Sequence, residues 1–327
     1  MAFYLLTGAS GRLARQLLPL LLRKGRVRAV LRPQSGFALP SGAERYSWNL
    51  ATPLPFQAFD GITHVIHLAG LVGDHPYEEL LLNNGTAVRN LLANCPQKVK
   101  RIVLASSISV YAAHAGKQAD ESFAQKGESP YGRSKLMGEM AASEYCGTLP
   151  IVFLRFGMIY GPFFQEGYFE VLERITKGKM MIIGSGENRI PLVHSKDAAE
   201  AIMVSLEKKV PPCRAYNIVG AEQPTQSELL AMAARELGAT SPKKHVPAYL
   251  AMALASIWQF FFQAGVLKKP SFSPENVRQL SSDRAYFVAR AKKELGFVAK
   301  VKLRQGLKQV VKEYLAKRGK GEAYGKS

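Results

Sequence analysis

A chain of 327 residues is long enough for one large or two modest domains with a sizeable core. Its 47% hydrophobic and 21% charged content is that of an ordinary soluble globular protein, and three widely spaced cysteines, Cys95, Cys146 and Cys213, exclude a disulfide framework or zinc site and read as reduced thiols. The formal charge of +19 is concentrated late, with 16 Lys/Arg against 5 Asp/Glu from Lys268 to Ser327; no aromatic-interleaved RNA motif accompanies it, so no nucleic-acid partner is expected, and a solvated helical face or a peripheral membrane contact through the basic C-terminal part remain.

In chain order, the apolar run Phe3–Thr7 predicts a first strand that enters the turn TGASGRLA (7–14). No charged-then-apolar leader precedes it, so the expected location is cytoplasmic, with membrane association through the basic end as a variant. A helical pattern follows over Arg12–Lys24, in which Pro19 is expected to kink the helix or shift its start. Strands are then predicted at Val27–Leu31, His64–Ala69, Arg101–Ser106 and Ile151–Arg155, alternating with helical patterns at Tyr77–Asn94 and Pro130–Tyr145. That alternation argues for βαβ units and a parallel sheet, hence an α/β fold. After Gly161-Pro162 it loosens, which places a first domain over 1–162 and a smaller lobe over 163–327, with Val193–His194 and Tyr216–Val219 returning as strands to the first. The uncharged run Ala248–Val266 is about long enough to span a bilayer as a helix. Its polar stripe of Ser256, Gln259 and Gln263 instead predicts a helix packed in a lobe core, at a subunit contact or on a membrane surface.

The turn after the first strand has the chemistry of a phosphate cradle. Gly8 and Gly11 let the backbone turn tightly and bring amides to a pyrophosphate at a helix start, with Ser10, Arg12 and Leu13 completing the loop. Ala14, where a third glycine would serve helix-to-strand packing, adds only a methyl. At the end of the second strand an acid would select the 2′-hydroxyl of NAD(H) and an arginine the 2′-phosphate of NADP(H); the residue is Arg32, and Arg12 approaches the same place. Two guanidiniums favour NADP(H), with NAD(H) as the alternative. Downstream, ESPYGRSKLMGE places Ser129 as an N-cap and Pro130 as the first helical residue, so Tyr131 and Lys135 fall on one face. A lysine ammonium beside a phenol lowers its pKa from about 10 towards the working range of a general acid/base. Ser107, at the end of a predicted strand, is placed to donate a hydrogen bond to a substrate oxygen. Metal chemistry is not expected: His64 and His67 point to opposite faces of one strand, and His194 reads as a strand residue.

Taken in order, TGASGRLA, HVIHLAG (64–70), SSISVYA (106–112), YGRSK, LRFGMIYGP (154–162) and IPLVHSKDAAEAI (190–202) resemble the extended branch of the short-chain dehydrogenase/reductases, the NAD(P)-dependent epimerase/dehydratase family, over nearly the whole chain. The resemblance implies a Rossmann-type doubly wound parallel sheet with a C-terminal substrate lobe, and a homodimer through two helices per subunit. It implies Ser107, Tyr131 and Lys135 as the catalytic trio, with Tyr131 exchanging a proton with the substrate oxygen and Lys135 also holding the nicotinamide ribose. Asn49 and Leu50 would stand near adenine, Leu68, Ala69 and Gly70 near the ribose and pyrophosphate, and Phe156 and Ile159 beside the nicotinamide. The family's asparagine three residues before the Gly-Thr pair is Leu82 here, with Asn83 and Asn84 out of register.

Substrate signals are fewer. Met158 stands where nucleotide-sugar epimerases of this branch place an asparagine against the nucleotide diphosphate; Arg189, or Lys196 near Asp197, reads either as an anion contact or as a surface charge. The run VPAYLAMALASIWQFFFQAG and the close from Arg290-Ala291 to Leu295-Gly296 resemble the 3β-hydroxysteroid dehydrogenase-like subgroup. Three readings follow. The first is an NAD(P)(H)-dependent oxidoreductase interconverting a secondary alcohol and a ketone on an apolar, steroid- or isoprenoid-like small molecule. The second is a UDP-sugar 4-epimerase or dehydratase with tightly bound NAD, and the third a non-catalytic nucleotide-sensing or assembly subunit.

Overall fold

Phe3 to Leu6 are buried on both sides of the first strand, as a continuous apolar run in a parallel sheet requires. The computed structural model describes residues 1–113, 117–165, 167–266 and 273–319. Its strands are β1 (Ala2–Thr7), β2 (Gly25–Leu31), β3 (Ala43–Ser47), β4 (His64–His67), β5 (Arg101–Ser107), β6 (Gln118–Ala119) and β7 (Ile151–Phe156). There follow β8 (Met158–Tyr160), β9 (Ile182–Ile183), β10 (Leu192–His194), β11 (Arg214–Ile218), β12 (His245–Val246) and β13 (Ala285–Tyr286). The helices are α1 (Arg12–Lys24), α2 (Tyr77–Leu81), α3 (Ala87–Leu92), α4 (Pro130–Ser143), α5 (Tyr168–Thr176), α6 (Ser195–Glu207), α7 (Gln226–Leu237), α8 (Ala248–Gln263), α9 (Pro274–Ser281) and α10 (Leu303–Arg318).

Seven parallel strands form the main sheet in the order β11-β7-β5-β4-β1-β2-β3. The chain winds outward from β1 to β3, then crosses to β4 on the other side, so a topological switch point lies between β1 and β4. Helices α1 and α6 cover one face through Leu13, Leu17, Leu21, Ala198 and Ile202. On the other face lie α3 and α4, through Val88, Leu91 and Ala142. Pro19 sits on the exposed side of α1, which continues unbroken from Arg12 to Lys24 because the buried leucines on its opposite face hold it. Strand β3 was not expected: AERYS alternates no apolar residues, and pairing with β2 alone makes it a strand.

The second lobe packs α5, α7 and α10 around Phe169, Leu230, Val310 and Tyr314. It is not cleanly separate. Strand β11 returns to the main sheet beside β7, β10 pairs with β8, and Ala291, Leu295 and Phe297 enter the core beneath α1. One expectation fails at the cysteines: Cys146 and Cys213 are paired in a disulfide, Cα–Cα 5.7 Å, because the turn after α4 and the segment before β11 meet at the edge of the sheet. Cys95 is free.

Candidate active site

Parallel strands end together, and β1, β4, β5 and β7 bring Thr7, His67, Ser107 and Phe156 to one edge. Gly8 follows at φ +68°, and a Cβ there would lie 2.5 Å from the backbone nitrogen of Ala69. Only glycine lets the turn close onto the Leu68–Ala69 segment across the switch point. Gly11 donates to the Gly8 carbonyl at 2.9 Å and opens α1, whose first turn has no side-chain cap and no acid. A glycine cradle over an uncapped helix start fits the pyrophosphate of a dinucleotide. Ser10 and Gly11 are exposed on this turn, whereas Leu13 and Ala14 are buried in the core, so Ala14 does the packing work of the third glycine.

Arg32 is exposed just beyond β2, and Arg12, also exposed, starts α1 on the adjoining strand unit. The Arg12 guanidinium lies 6.0 Å from the Phe164 ring centroid. Asn49 and Leu50 follow β3 on the same edge; Asn49 accepts the Ala51 amide at 3.1 Å, and the Leu50 carbonyl accepts Asn90. Gly70 is exposed and backed by Asn84, whose Oδ1 would meet a Cβ there at 2.7 Å.

Ser129 accepts the Gly132 amide at 3.0 Å and so caps α4, presenting Tyr131 in the first turn and Lys135 one turn later. Burial pushes the Tyr131 phenol up to about 12, with Glu275 adding to the rise and neighbouring Ser107 pulling against it. The expected lowering by Lys135 is not what is found. The Lys135 ammonium donates to the Ala105 carbonyl at 2.6 Å, and burial pushes it down to about 8 despite Glu139. Beneath the trio, His67 binds Thr7 Oγ1 through Nδ1 at 2.7 Å, and burial, with Lys135 nearby, holds it neutral. Phe156 pairs in register with Ser107, and Ile159 and Met158 follow on β8, half-buried.

Asn84, out of register by linear spacing, is buried beside α4. Residues Leu82–Thr86 form a π-turn between α2 and α3, and this turn leaves Leu82 exposed while burying Asn84. Asn84 Oδ1 accepts the Leu71 amide at 2.8 Å, and Nδ2 donates to the Leu71 carbonyl and to Ser134 Oγ, each at 2.9 Å. It therefore ties the loop after β4 to the catalytic helix, and the extra residue of a π-turn cannot be counted from linear spacing.

A cavity of about 240 Å³ reaches Ile108 and Ser129, the chain neighbours of this site, and is lined by Tyr111, Ala112 and Tyr286 together with Glu275, Arg278, Asp283 and Arg284. Arg189 is not among its walls. It forms a two-pronged ion pair with Asp283, Nε to Oδ1 2.9 Å and a terminal nitrogen to Oδ2 2.8 Å, and holds the segment that carries Arg284. Arg284 donates to the Gln279 carbonyl at 2.8 Å, while its buried Nε has no hydrogen-bond partner and burial lowers its pKa. A single arginine in the polar run SSDRA has no periodicity to mark it. Lys196 is exposed, and Asp197 accepts the Lys300 and Val301 amides at 3.0 Å, a structural role. Among the described residues no three His, Cys, Asp or Glu side chains gather as a metal site.

The chain is similar to a 2-alkyl-3-oxoalkanoate reductase of Stenotrophomonas maltophilia, 26% identical over 323 residues that cover 94% of this chain and 97% of the relative. It is 27% identical over 281 residues to 3beta-hydroxysteroid-dehydrogenase/decarboxylase isoform 1 of Arabidopsis thaliana, covering 79% of this chain and 63% of that one. Among solved structures, MoeE5 in complex with UDP-glucose and NAD superposes with a TM-score of 0.76 at 25% identity, covering 97% of this chain and 99% of the other. The protein is an enzyme of the oxidoreductase or epimerase type. The profile of the NAD dependent epimerase/dehydratase family matches residues 4–219, spanning the glycine turn, the Ser107–Tyr131–Lys135 trio and the last strand of the main sheet, and the chain belongs to that family.

Proposed function

We propose that this enzyme is an NADP(H)-dependent oxidoreductase that interconverts a secondary alcohol and a ketone on an apolar, steroid- or isoprenoid-like substrate. The observation that supports it most is the apolar stretch of cavity wall formed by Ile108, Tyr111, Ala112 and Tyr286 next to Ser107 and Tyr131. A bound nicotinamide supplies the hydride acceptor or donor. The chain's own residues do the rest. Ser107 positions the substrate oxygen, Tyr131 gives or takes its proton, and the walls of Ile108, Tyr111 and Tyr286 keep water from the reacting carbon. Arg12 and Arg32 support the 2′-phosphate, and Lys135, turned from the Ala105 carbonyl to a nicotinamide ribose, would stabilise the phenolate.

Arg278 and Arg284 support a second reading, an epimerase of a nucleotide-linked sugar: two guanidiniums at one cavity suit a diphosphate as well as a carboxylate. Turnover separates the two. Loss of reduced-nicotinamide absorbance with apolar ketones or 2-alkyl-3-oxoalkanoates supports the reductase. Isomerised UDP-sugar with no net change in absorbance replaces it with the epimerase. A homodimer is also inferred, through α4, where Met137 and Met140 are exposed, and the π-turn after α2, where Leu82 is exposed; sedimentation at the mass of one chain would reject it.

A further inference from the structure

Helix α8 is not the core helix that its composition suggests. Its inner stripe is small, with Ala251 and Ala255 buried against Ile183 and Val277. On an adjoining face Leu250, Leu254, Ile257 and Phe261 recur at helical spacing and are 44%, 57%, 55% and 41% exposed. Tyr249, Trp258, Phe260 and Val266 are exposed around them. Single chains rarely leave so continuous an apolar surface open to water. The 16-residue helix is about 24 Å long, short of a bilayer core of roughly 30 Å. Among the described residues no helix is long and apolar enough to cross a membrane.

Charge identifies the occupant. Between Glu236 and Glu275 the sequence has no Asp or Glu, and Lys243-Lys244 precede the helix. Lys243 and Lys244 are exposed where the chain enters β12, and the Ile182 amide donates to the Lys244 carbonyl at 2.8 Å. That contact sets exposed Lys179 and Met181, just before β9, beside the same pair. An apolar helix face with aromatic residues and a rim of lysines matches an anionic lipid surface. The polar edge of the helix looks the other way: Ser256 and Gln259, with Phe260, line a second cavity of about 320 Å³ that reaches Pro130, next to Tyr131, and shares Glu275 and Arg278 with the first.

We propose that α8 docks the enzyme in the plane of an anionic membrane surface, the Leu250–Leu254–Ile257–Phe261 stripe in the headgroup–acyl boundary and the lysines on the lipid phosphates. The docking does not depend on which substrate the site takes. The contact proposed here is made by α8; α10 packs its apolar face through Leu307, Val310, Val311 and Tyr314.

Flotation of the full chain with phosphatidylcholine vesicles, alone or with roughly a third phosphatidylglycerol, tests this. Wild-type protein floats with the mixed vesicles at least about tenfold more than with the neutral ones, and Trp258 emission shifts to the blue. The surface variant Leu250→Ser/Leu254→Ser/Ile257→Ser/Phe261→Ser loses the binding while keeping its melting temperature, and Lys243→Glu/Lys244→Glu weakens it. Wild-type protein that stays at the bottom with the mixed vesicles overturns the proposal, as does equal flotation of the serine variant. So does a wild-type oligomer that the serine variant splits without lipid binding, which would make the occupant a second copy of the chain.

Discussion

Burial pushes the Tyr131 phenol up to about 12, and Lys135 donates to the Ala105 carbonyl. Tyr131→Phe keeps the ring in place and removes the proton, so turnover falls by about 10²–10⁴-fold. Nucleotide binding, followed by fluorescence titration, stays unchanged, and loss of binding instead would make Tyr131 a structural residue. Lys135 supports a pH prediction. The native ammonium deprotonates near pH 8, whereas the unfolded chain holds that proton to 10.5. Between those values the unfolded state binds more protons, so wild-type stability rises with pH across the window relative to Lys135→Met. Urea midpoints of both proteins at about pH 7 and about pH 10 check it, a constant gap being the contrary result. At the other end of the site, replacing Arg12 and Arg32 with serine weakens NADP(H) by at least about tenfold and NAD(H) much less. Equal losses of the two cofactors in a binding titration would remove the case for the 2′-phosphate. All of these residues were legible in the sequence because each sits in a short motif whose spacing is set by one strand end or one helical turn. Arg284 and Asn84 were not, since a fold of the chain and a π-turn bring them to the site.

At the scale of elements, a buried ion pair welds the catalytic helix to the sheet. Arg155 of β7 meets Glu139 of α4 at 2.6 Å, and Tyr111 accepts a further Arg155 nitrogen at 2.9 Å. Ser106 of β5 donates to Glu139 at 2.5 Å, and the Tyr111 hydroxyl donates to Asn217 of β11. Truncating one partner leaves a charge buried without its counter-ion, which costs about 3–5 kcal/mol. Glu139→Ala is therefore expected to lower the denaturant midpoint sharply, and a loss under about 1 kcal/mol would show that the pair contributes little. Elements with a strong apolar period, such as β1, β5, β7 and α1, could be drawn from sequence to within a residue or two. Strand β3 could not, because its residues form a strand only where β2 offers an edge.

For the whole molecule, the disulfide links segments 67 residues apart and ties the end of the catalytic-helix region to the strand that returns from the second lobe. Thiol titration of the unreduced, denatured protein should find one group, Cys95. Cys146→Ser is expected to lose about 2–4 kcal/mol of stability, and three titratable thiols would place the bridge outside the working form of the protein.

By itself the sequence determined the α/β class, the glycine turn after β1 and the placing of Tyr131 and Lys135 on one helix, because these follow from local periodicity, backbone freedom at glycine and residues a turn apart. Only the tertiary structure decided that Arg189 is spent on Asp283, that Arg284 faces the cavity, that Cys146 meets Cys213 and that α8 leaves its apolar face open. Each of those depends on which distant segments meet, and no local pattern encodes a meeting between residues tens of positions apart.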